Sequence, residues 1–416
     1  MTVAMLHYTA PPVVGGVEAV ILAHAQVFLQ AGYPVRVIAG QGDPSALPVE
    51  VRYLAVPEMD ARHPAIAQVS RELEQGRVPA EFEGLSAGLE QALAPALEGC
   101  TAVIVHNIFT KHFNLPLTAA LDRLRASGKL PGGIAWCHDF TWTSPHSRSK
   151  VHPGYPWDLL RTSRPGLRYV TVSQERQREL AGLLGCDSGQ IQVVYNGVSP
   201  ETLWRLSPQG QALVRRMSLL ESDLVLLMPV RITQAKNMEL ALQVTAALKR
   251  RNLRPRMIVT GPPDPHDLEN MVYFHNLQKQ RNELGLAGEA YFVYELGPDP
   301  DQPLVLNAEQ VAELYRASDL MVMPSRREGF GMPVLEAGLV GLPVATTDVP
   351  AAGEIGGEDV LRFEASIDPD ALAGQIADRL EANPVHRLRR RVRQEYTWEA
   401  IFRRDIEPLL ERDGPR

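Results

Sequence analysis

Short apolar runs closed by Gly, Pro or polar residues alternate along the chain with longer stretches in which apolar positions recur at helical spacing. That alternation predicts a mainly parallel sheet covered by helices. Strands are expected over residues 3–8, 35–39, 102–106, 134–138, 169–173 and 191–195, with helices such as 17–30 and 174–184 between them. A second series begins after the Ser/Pro/Gln-containing stretch 197–223, with strands at 224–230, 257–260, 291–294, 320–323 and 344–346. The restart predicts two doubly wound α/β domains, 1–198 and 199–394, with the carboxyl ends of both sheets lining a shared cleft. Segment 395–416 is expected to form a last amphipathic helix that packs back on the first domain, with Thr397 as its N-cap. Segment 58–98 is poorly patterned and reads as an inserted helical lid.

A length of 416 residues exceeds one ordinary core, and 45% hydrophobic with 22% charged residues is globular composition. The net charge of −7 argues against a protein that wraps nucleic acid by broad phosphate neutralisation. Cys100, Cys137 and Cys186 lie far apart without CxxC spacing, which suits a reducing compartment and no structural zinc. The amino terminus has no basic flank before its apolar residues, and no run approaches the roughly 18 apolar residues of a membrane helix. A cytoplasmic location without an integral membrane segment is the expectation.

The segment Leu320-Met-Val-Met-Pro-Ser-Arg-Arg-Glu328-Gly329-Phe330-Gly331-Met-Pro333-Val-Leu-Glu336 reads as strand, glycine loop and helix. Pro333 suits a first helical turn, and Gly329 and Gly331 let the backbone approach a phosphate-bearing ligand. Glu328 then sits at a strand's carboxyl end and Glu336 about one turn into the helix, so both carboxylates can accept hydrogen bonds from sugar hydroxyls. Acidic residues also simply favour a helix amino terminus.

Arg231 and Lys236 follow the first strand of the second series, where two cations can stabilise a diphosphate leaving group, although cations near a helix start are common on surfaces. Gly15 and Gly16 separate the first strand from the first helix; their amides can reach a phosphate or an acceptor, or merely make a tight turn. This is not the dinucleotide GxGxxG pattern. His138, followed by Asp139, closes the fourth predicted strand and can donate to a sugar hydroxyl, with His106 and Asn107 similarly placed. Trp136, Trp142, Tyr155 and Trp157 cluster near His138 in sequence and suit either sugar stacking or core packing. Five arginines between Arg387 and Arg393 read as a solvated helical face, with peripheral membrane contact the rival reading.

In order and spacing these motifs resemble the family 4 retaining glycosyltransferases, over nearly the whole chain. The most specific part is Glu-x7-Glu, matched by Glu328 and Glu336. The resemblance implies the GT-B fold: two Rossmann-like doubly wound domains facing a central cleft. It implies a hexose donor such as GDP-mannose or UDP-glucose, no required metal or other cofactor, and a hydroxyl acceptor as partner. The acidic chain and the many polar groups from Trp142 to Arg161 suit a small polar metabolite such as a sugar acid as that acceptor, with a lipid-linked or polysaccharide chain as the alternative. Glu328 would lie beside the donor sugar, Glu336 on the ribose, Arg231 and Lys236 on the diphosphate, and His138 near the sugar's 6-hydroxyl. Gly15 and Gly16 match the family's amino-terminal glycine loop. Asn196-Gly197-Val198 matches the sequence before its interdomain linker, and Tyr396-Thr397-Trp398 the start of its final helix. One departure is Pro229-Val230-Arg231, where the family has Gly-Arg. A sugar-nucleotide epimerase or a non-catalytic sugar-nucleotide sensor would share much of this pattern.

Overall fold

The structure, a computed structural model, describes residues 1–263, 268–299 and 302–411. Two compact units divide it: Met1–Val198 together with the chain from Trp398 onward, and Ser199–Thr397.

The first unit holds seven strands, β1 (Val3–Thr9), β2 (Val35–Gln41), β3 (Arg52–Ala55), β4 (Ala102–His106), β5 (Gly133–Cys137), β6 (Arg168–Thr171) and β7 (Ile191–Val193). They are all parallel in the order β3-β2-β1-β4-β5-β6-β7. The central strands β1, β4 and β5 are buried along their whole length, which explains their unbroken apolar runs. The second unit holds β8 (Leu224–Met228), β9 (Pro255–Val259), β10 (Ala290–Phe292), β11 (Leu320–Met323), β12 (Val344–Thr347) and β13 (Leu361–Phe363), again parallel, in the order β10-β9-β8-β11-β12-β13. Both sheets are therefore Rossmann-like and doubly wound. Two strands, β3 and β13, escaped the sequence pattern because each is a short edge strand, only part-buried, with no apolar run to announce it.

Segment 58–98 is not a lid throughout. Its second half forms the helix Glu81–Leu97, the crossover between β3 and β4. That helix buries Leu89, Leu93 and Leu97 in the same core as Leu6, Val103 and Val105.

At the carboxyl end, Trp398, Ile401, Phe402, Ile406 and Leu409 join the core of the first unit beside Val27 and Phe28. The Trp398 amide donates to Val198 O at 3.2 Å, and a Cβ on Gly197 would come within 2.8 Å of Trp398. Glycine is thus needed where the two crossing segments touch. Residues 395–397 belong with the second unit.

The arginine run is not a purely solvated face. Arg393 is buried, donating to Asp319 Oδ2 at 2.8 Å and to Ser222 O at 2.8 Å, while Arg389 Nε lies 3.5 Å from Asp319 Oδ1. These contacts pin the helix Pro384–Glu395 beneath the amino ends of β8 and β11. None of the helices among the described residues is long and apolar enough to cross a membrane.

Candidate functional site

In a doubly wound sheet, two neighbouring strands send their following chain to opposite faces, and the crevice at their carboxyl ends is open to ligands. The strand orders put that point between β8 and β11 in the second unit and between β1 and β4 in the first.

In the second unit, Arg231 and Lys236 follow β8, and Glu328 follows β11. The chain after β8 makes a 3-10 turn, Gln234–Lys236, then passes through Asn237 in the left-handed region (φ 50°) into the helix Met238–Arg250. Lys236 Nζ forms an ion pair with Glu328 Oε1, which also accepts from Ser325 Oγ at 2.7 Å. Arg326 stitches the same loops together: its amide donates to Ala235 O at 2.8 Å and its guanidinium to Asn237 Oδ1 at 3.1 Å. Both protein contacts of Glu328 use Oε1, so Oε2 is the oxygen left for a ligand hydroxyl among the described residues.

Arg231 is exposed and makes no side-chain hydrogen bond or ion pair among the described residues. Its backbone is braced instead. Ile232 N donates to Pro262 O at 3.2 Å, Gly261 N donates to Val230 O at 3.2 Å, and a Cβ on Gly261 would fall 2.7 Å from Arg231 Cα. Sequence reading missed Gly261; its signal was a glycine just after a strand. The second unit thus presents one engaged and one disengaged cation on the same loop.

Gly331, at φ +98°, starts the helix Met332–Leu339, and a Cβ there would meet Val349 at 3.2 Å. The loop ahead of it is held where Phe330 O accepts from Ala351 N at 3.0 Å, with Gly329 in open space and the Phe330 ring exposed. Glu336 lies exposed on that helix and accepts from Tyr315 OH at 2.6 Å. Burial, and then the Glu336 carboxylate, push the Tyr315 phenol well above its usual range, so it stays a donor that orients Glu336. Tyr315 gave no sequence signal; the helix Ala308–Ala317 carries it to Glu336 from 21 residues away.

In the 3-10 turn Val293–Leu296, Glu295 is bound by Arg281 and Gln278.

In the first unit, β1 and β4 bring together residues that only the fold connects. His7 Nδ1 hydrogen-bonds His106 O at 3.0 Å, and His7 Nε2 lies 3.9 Å from Glu18 Oε1, which also accepts from Thr9 Oγ1. Glu18 is buried in the first turn of the helix Gly16–Gln30, and a Cβ on Gly15 would lie 2.1 Å from its Oε2, whereas Gly16 stands in open space. Glycine at 15 is what lets this carboxylate fold back over the helix start. The spot where an anion would meet the helix amides already has an acidic neighbour.

His138 is part-buried just after β5, its amide donating to Asn107 Oδ1 at 2.8 Å. Its Nε2 lies 3.2 Å from His106 Nδ1, with the rings stacked at 5.5 Å. Beyond His106 stands His24, fully buried, 4.7 Å from the Trp136 ring and 5.2 Å from Trp398. Burial, then neighbouring imidazoles, pull His138 down to about 4, His24 to about 3, and His106 well below its usual value. All three are neutral at neutral pH, so this corner offers hydrogen bonds rather than positive charge.

Next to it Lys111 pairs with Asp139 at 2.7 Å; burial alone would raise the Asp139 carboxyl, but Lys111 holds it below its ordinary value.

The tryptophans are core residues. Trp136, Trp142 and Trp157 are buried, and the guanidinium groups of Arg148 and Arg161 pack over the Trp142 ring at 4.5 and 4.0 Å; of the four aromatic residues Tyr155 alone is exposed. Among the described residues no cluster of three or more His, Cys, Asp or Glu side chains suits a metal ion.

Residues 14–202 match the family described as Glycosyltransferase Family 4, and residues 213–396 that described as Glycosyl transferases group 1. The chain is 25% identical over 247 residues to an uncharacterized glycosyltransferase of Methanocaldococcus jannaschii, covering 57% of this chain and 58% of that one. It is 32% identical over 229 residues to a D-inositol 3-phosphate glycosyltransferase of Thermobispora bispora, covering 50% of each. The matches thus span about half the length of these curated relatives. Among solved structures, a glycosyltransferase from Rickettsia africae ESF-5 aligns over 99% of this chain and 100% of its own, at 15% identity and a TM-score of 0.38.

Proposed function

The chain belongs to glycosyltransferase family 4, and from that premise we propose that it transfers a hexose, with retention of anomeric configuration, from a nucleoside-diphosphate sugar to an acceptor hydroxyl. GDP-mannose and UDP-glucose are the proposed donors.

The observation that carries this reading is the Lys236–Glu328 pair on adjoining loops at the switch point of the second sheet. A cation for a diphosphate and a carboxylate for a sugar are needed side by side, because the phosphate leaves from the carbon whose ring the carboxylate grips. In the proposed scheme Arg231 and Lys236 take up the charge that builds on the departing diphosphate. Glu328 Oε2 accepts from the donor sugar, Glu336 from the ribose hydroxyls, and Gly329, Phe330 and Gly331 give the diphosphate a close backbone. His138 hydrogen-bonds the sugar's 6-hydroxyl. The leaving phosphate oxygen takes the proton of the attacking acceptor hydroxyl on the same face of the ring, so no protein nucleophile and no metal enter the scheme.

For the acceptor we propose a small polar polyol or sugar derivative. Supporting this, several relatives at 27–32% identity carry the name D-inositol 3-phosphate glycosyltransferase. The corner at Gly15 and Gly16 also suits a hydroxyl better than a phosphate, since a second anion there would be repelled by Glu18.

The test is calorimetric titration of the purified protein with UDP, GDP and their sugars, then acceptor trials with anomeric analysis of the product. Binding of one nucleotide and a product of unchanged anomeric configuration are expected. An inverted product, or isomerised donor formed without an acceptor, would overturn the reading.

A further inference from the structure

His138 has two ring nitrogens, and only one faces the protein: Nε2 meets His106 Nδ1 at 3.2 Å, while Nδ1 makes no hydrogen bond among the described residues and is not sealed from solvent. Both imidazoles are neutral, so a single proton lies in the link and the two rings cannot choose their tautomers independently. We infer that His106 is a positioning residue that locks His138 in the Nδ1–H tautomer, turning it into an obligate hydrogen-bond donor toward the sugar.

The far side of His106 is closed to solvent. Its Nε2 is fully buried without a partner, in a cage that includes the His24 ring at 5.6 Å and the Trp136 ring at 6.0 Å. Were the shared proton on His138, His106 would have to carry its own on Nε2, as a buried N–H with no acceptor. Orphaned buried donors are the rarer and costlier failure. With the shared proton on His106 Nδ1, the buried Nε2 is only a bare lone pair, and His138 receives at Nε2 and donates from Nδ1.

The main chain supports the same geometry. His7 Nδ1 can only donate to the His106 carbonyl, fixing the end of β4, and Asn107 Oδ1 accepts from the His138 amide, fixing the end of β5. A free imidazole favours the opposite tautomer, so without this link His138 would turn an acceptor outward. It would then compete for the hydroxyl proton instead of binding the hydroxyl oxygen.

The proposal rests on the reading that His138 meets a donor-sugar hydroxyl, and its test separates the two. Long-range 1H–15N spectra of histidine-labelled protein report which ring nitrogen carries the proton, with His138→Phe assigning the signals. Wild type is expected to show His138 protonated at Nδ1. His106→Phe, which keeps the bulk but not the acceptor–donor link, should move that proton to Nε2 and lower kcat roughly tenfold at unchanged nucleotide affinity. His106→Asn, which can place an amide N–H where Nδ1 was, should restore part of both. A wild-type His138 protonated at Nε2, or an unmoved tautomer in folded His106→Phe, overturns the lock. If His106→Phe fails to fold, the wild-type spectrum still decides. A moved tautomer with undiminished turnover upholds the lock and removes His138 from the sugar site.

Discussion

Lys236 Nζ and Glu328 Oε1 are joined in an ion pair between the loops that follow β8 and β11, both side chains largely buried. In the proposed scheme a diphosphate draws on a lysine that already has a carboxylate partner, together with Arg231 of the same loop, which is exposed and makes no side-chain hydrogen bond or ion pair among the described residues. Replacing Lys236 by Met or Arg231 by Ala should lower kcat by about 10²–10³-fold each, as expected for removing one donor to a developing anion. Because Glu328 loses its partner when Lys236 goes, Lys236→Met and Glu328→Gln should be non-additive, whereas Arg231→Ala and Glu328→Gln should be closer to additive. Steady-state rates of the single and double variants check this, and full additivity of the first pair would contradict a working ion pair.

Glu336 and Tyr315 make a second linked pair. If Glu336 binds the ribose, Glu336→Ala should weaken nucleotide affinity by about 1.5–3 kcal/mol, the worth of a charged hydrogen bond, with kcat at saturating donor much less affected. Tyr315→Phe removes only the donor that orients the carboxylate and should cost less, in the same direction. Titration of each variant with the nucleotide measures it; an unchanged dissociation constant for Glu336→Ala would take the ribose role away.

How much of this was legible in the sequence follows from what each residue needs to be recognised. Glu328, Gly331 and Glu336 sit in one continuous strand-loop-helix, so their order along the chain is also their order in space. Arg231 and Lys236 were legible as a loop after a buried strand, but not the ion pair to Glu328, which bridges 92 residues. The histidine corner was hardest: His7, Glu18, His24, His106 and His138 come from three strand ends and one helix, and only parallel pairing of β1, β4 and β5 makes them neighbours. The tryptophans stay ambiguous between stacking and core packing in the sequence, because proximity along the chain does not say which side chains the fold buries.

The same corner predicts acid sensitivity. His24 and His138 are held neutral in the folded state, at about 3 and 4, against about 6.5 in an unfolded chain. Between those values the unfolded chain binds more protons, so stability is complete above about pH 7 and falls as the pH drops through 6 and 5. Each such histidine adds a slope of up to about 1.4 kcal/mol per pH unit. His24→Leu, which removes the imidazole from this fully buried aromatic corner, should flatten the dependence by about one proton whatever it does to stability at pH 7. Urea unfolding at pH 7, 6 and 5 compares the slopes; identical slopes in both proteins would refute the assignment.

The arginines of the helix Pro384–Glu395 act at the opposite end of the second sheet. Asp319 Oδ2 accepts from Val225 N and from Arg393 Nη1, each at 2.8 Å, and both side chains of the ion pair are essentially inaccessible to water. Arg393→Met should destabilise the second unit by up to about 3–5 kcal/mol, because it takes the closer cation from a buried carboxylate and leaves it only Arg389, at 3.5 Å, rather than merely deleting contacts. That cause can be separated from simple loss of packing. In the double variant Arg393→Met/Asp319→Asn the buried group is uncharged yet can still accept from Val225 N, so much of the stability should return. Denaturant unfolding of the single and double variants decides: a double variant no more stable than Arg393→Met would mean that the helix Pro384–Glu395 is held by its packing and not by the charge pair.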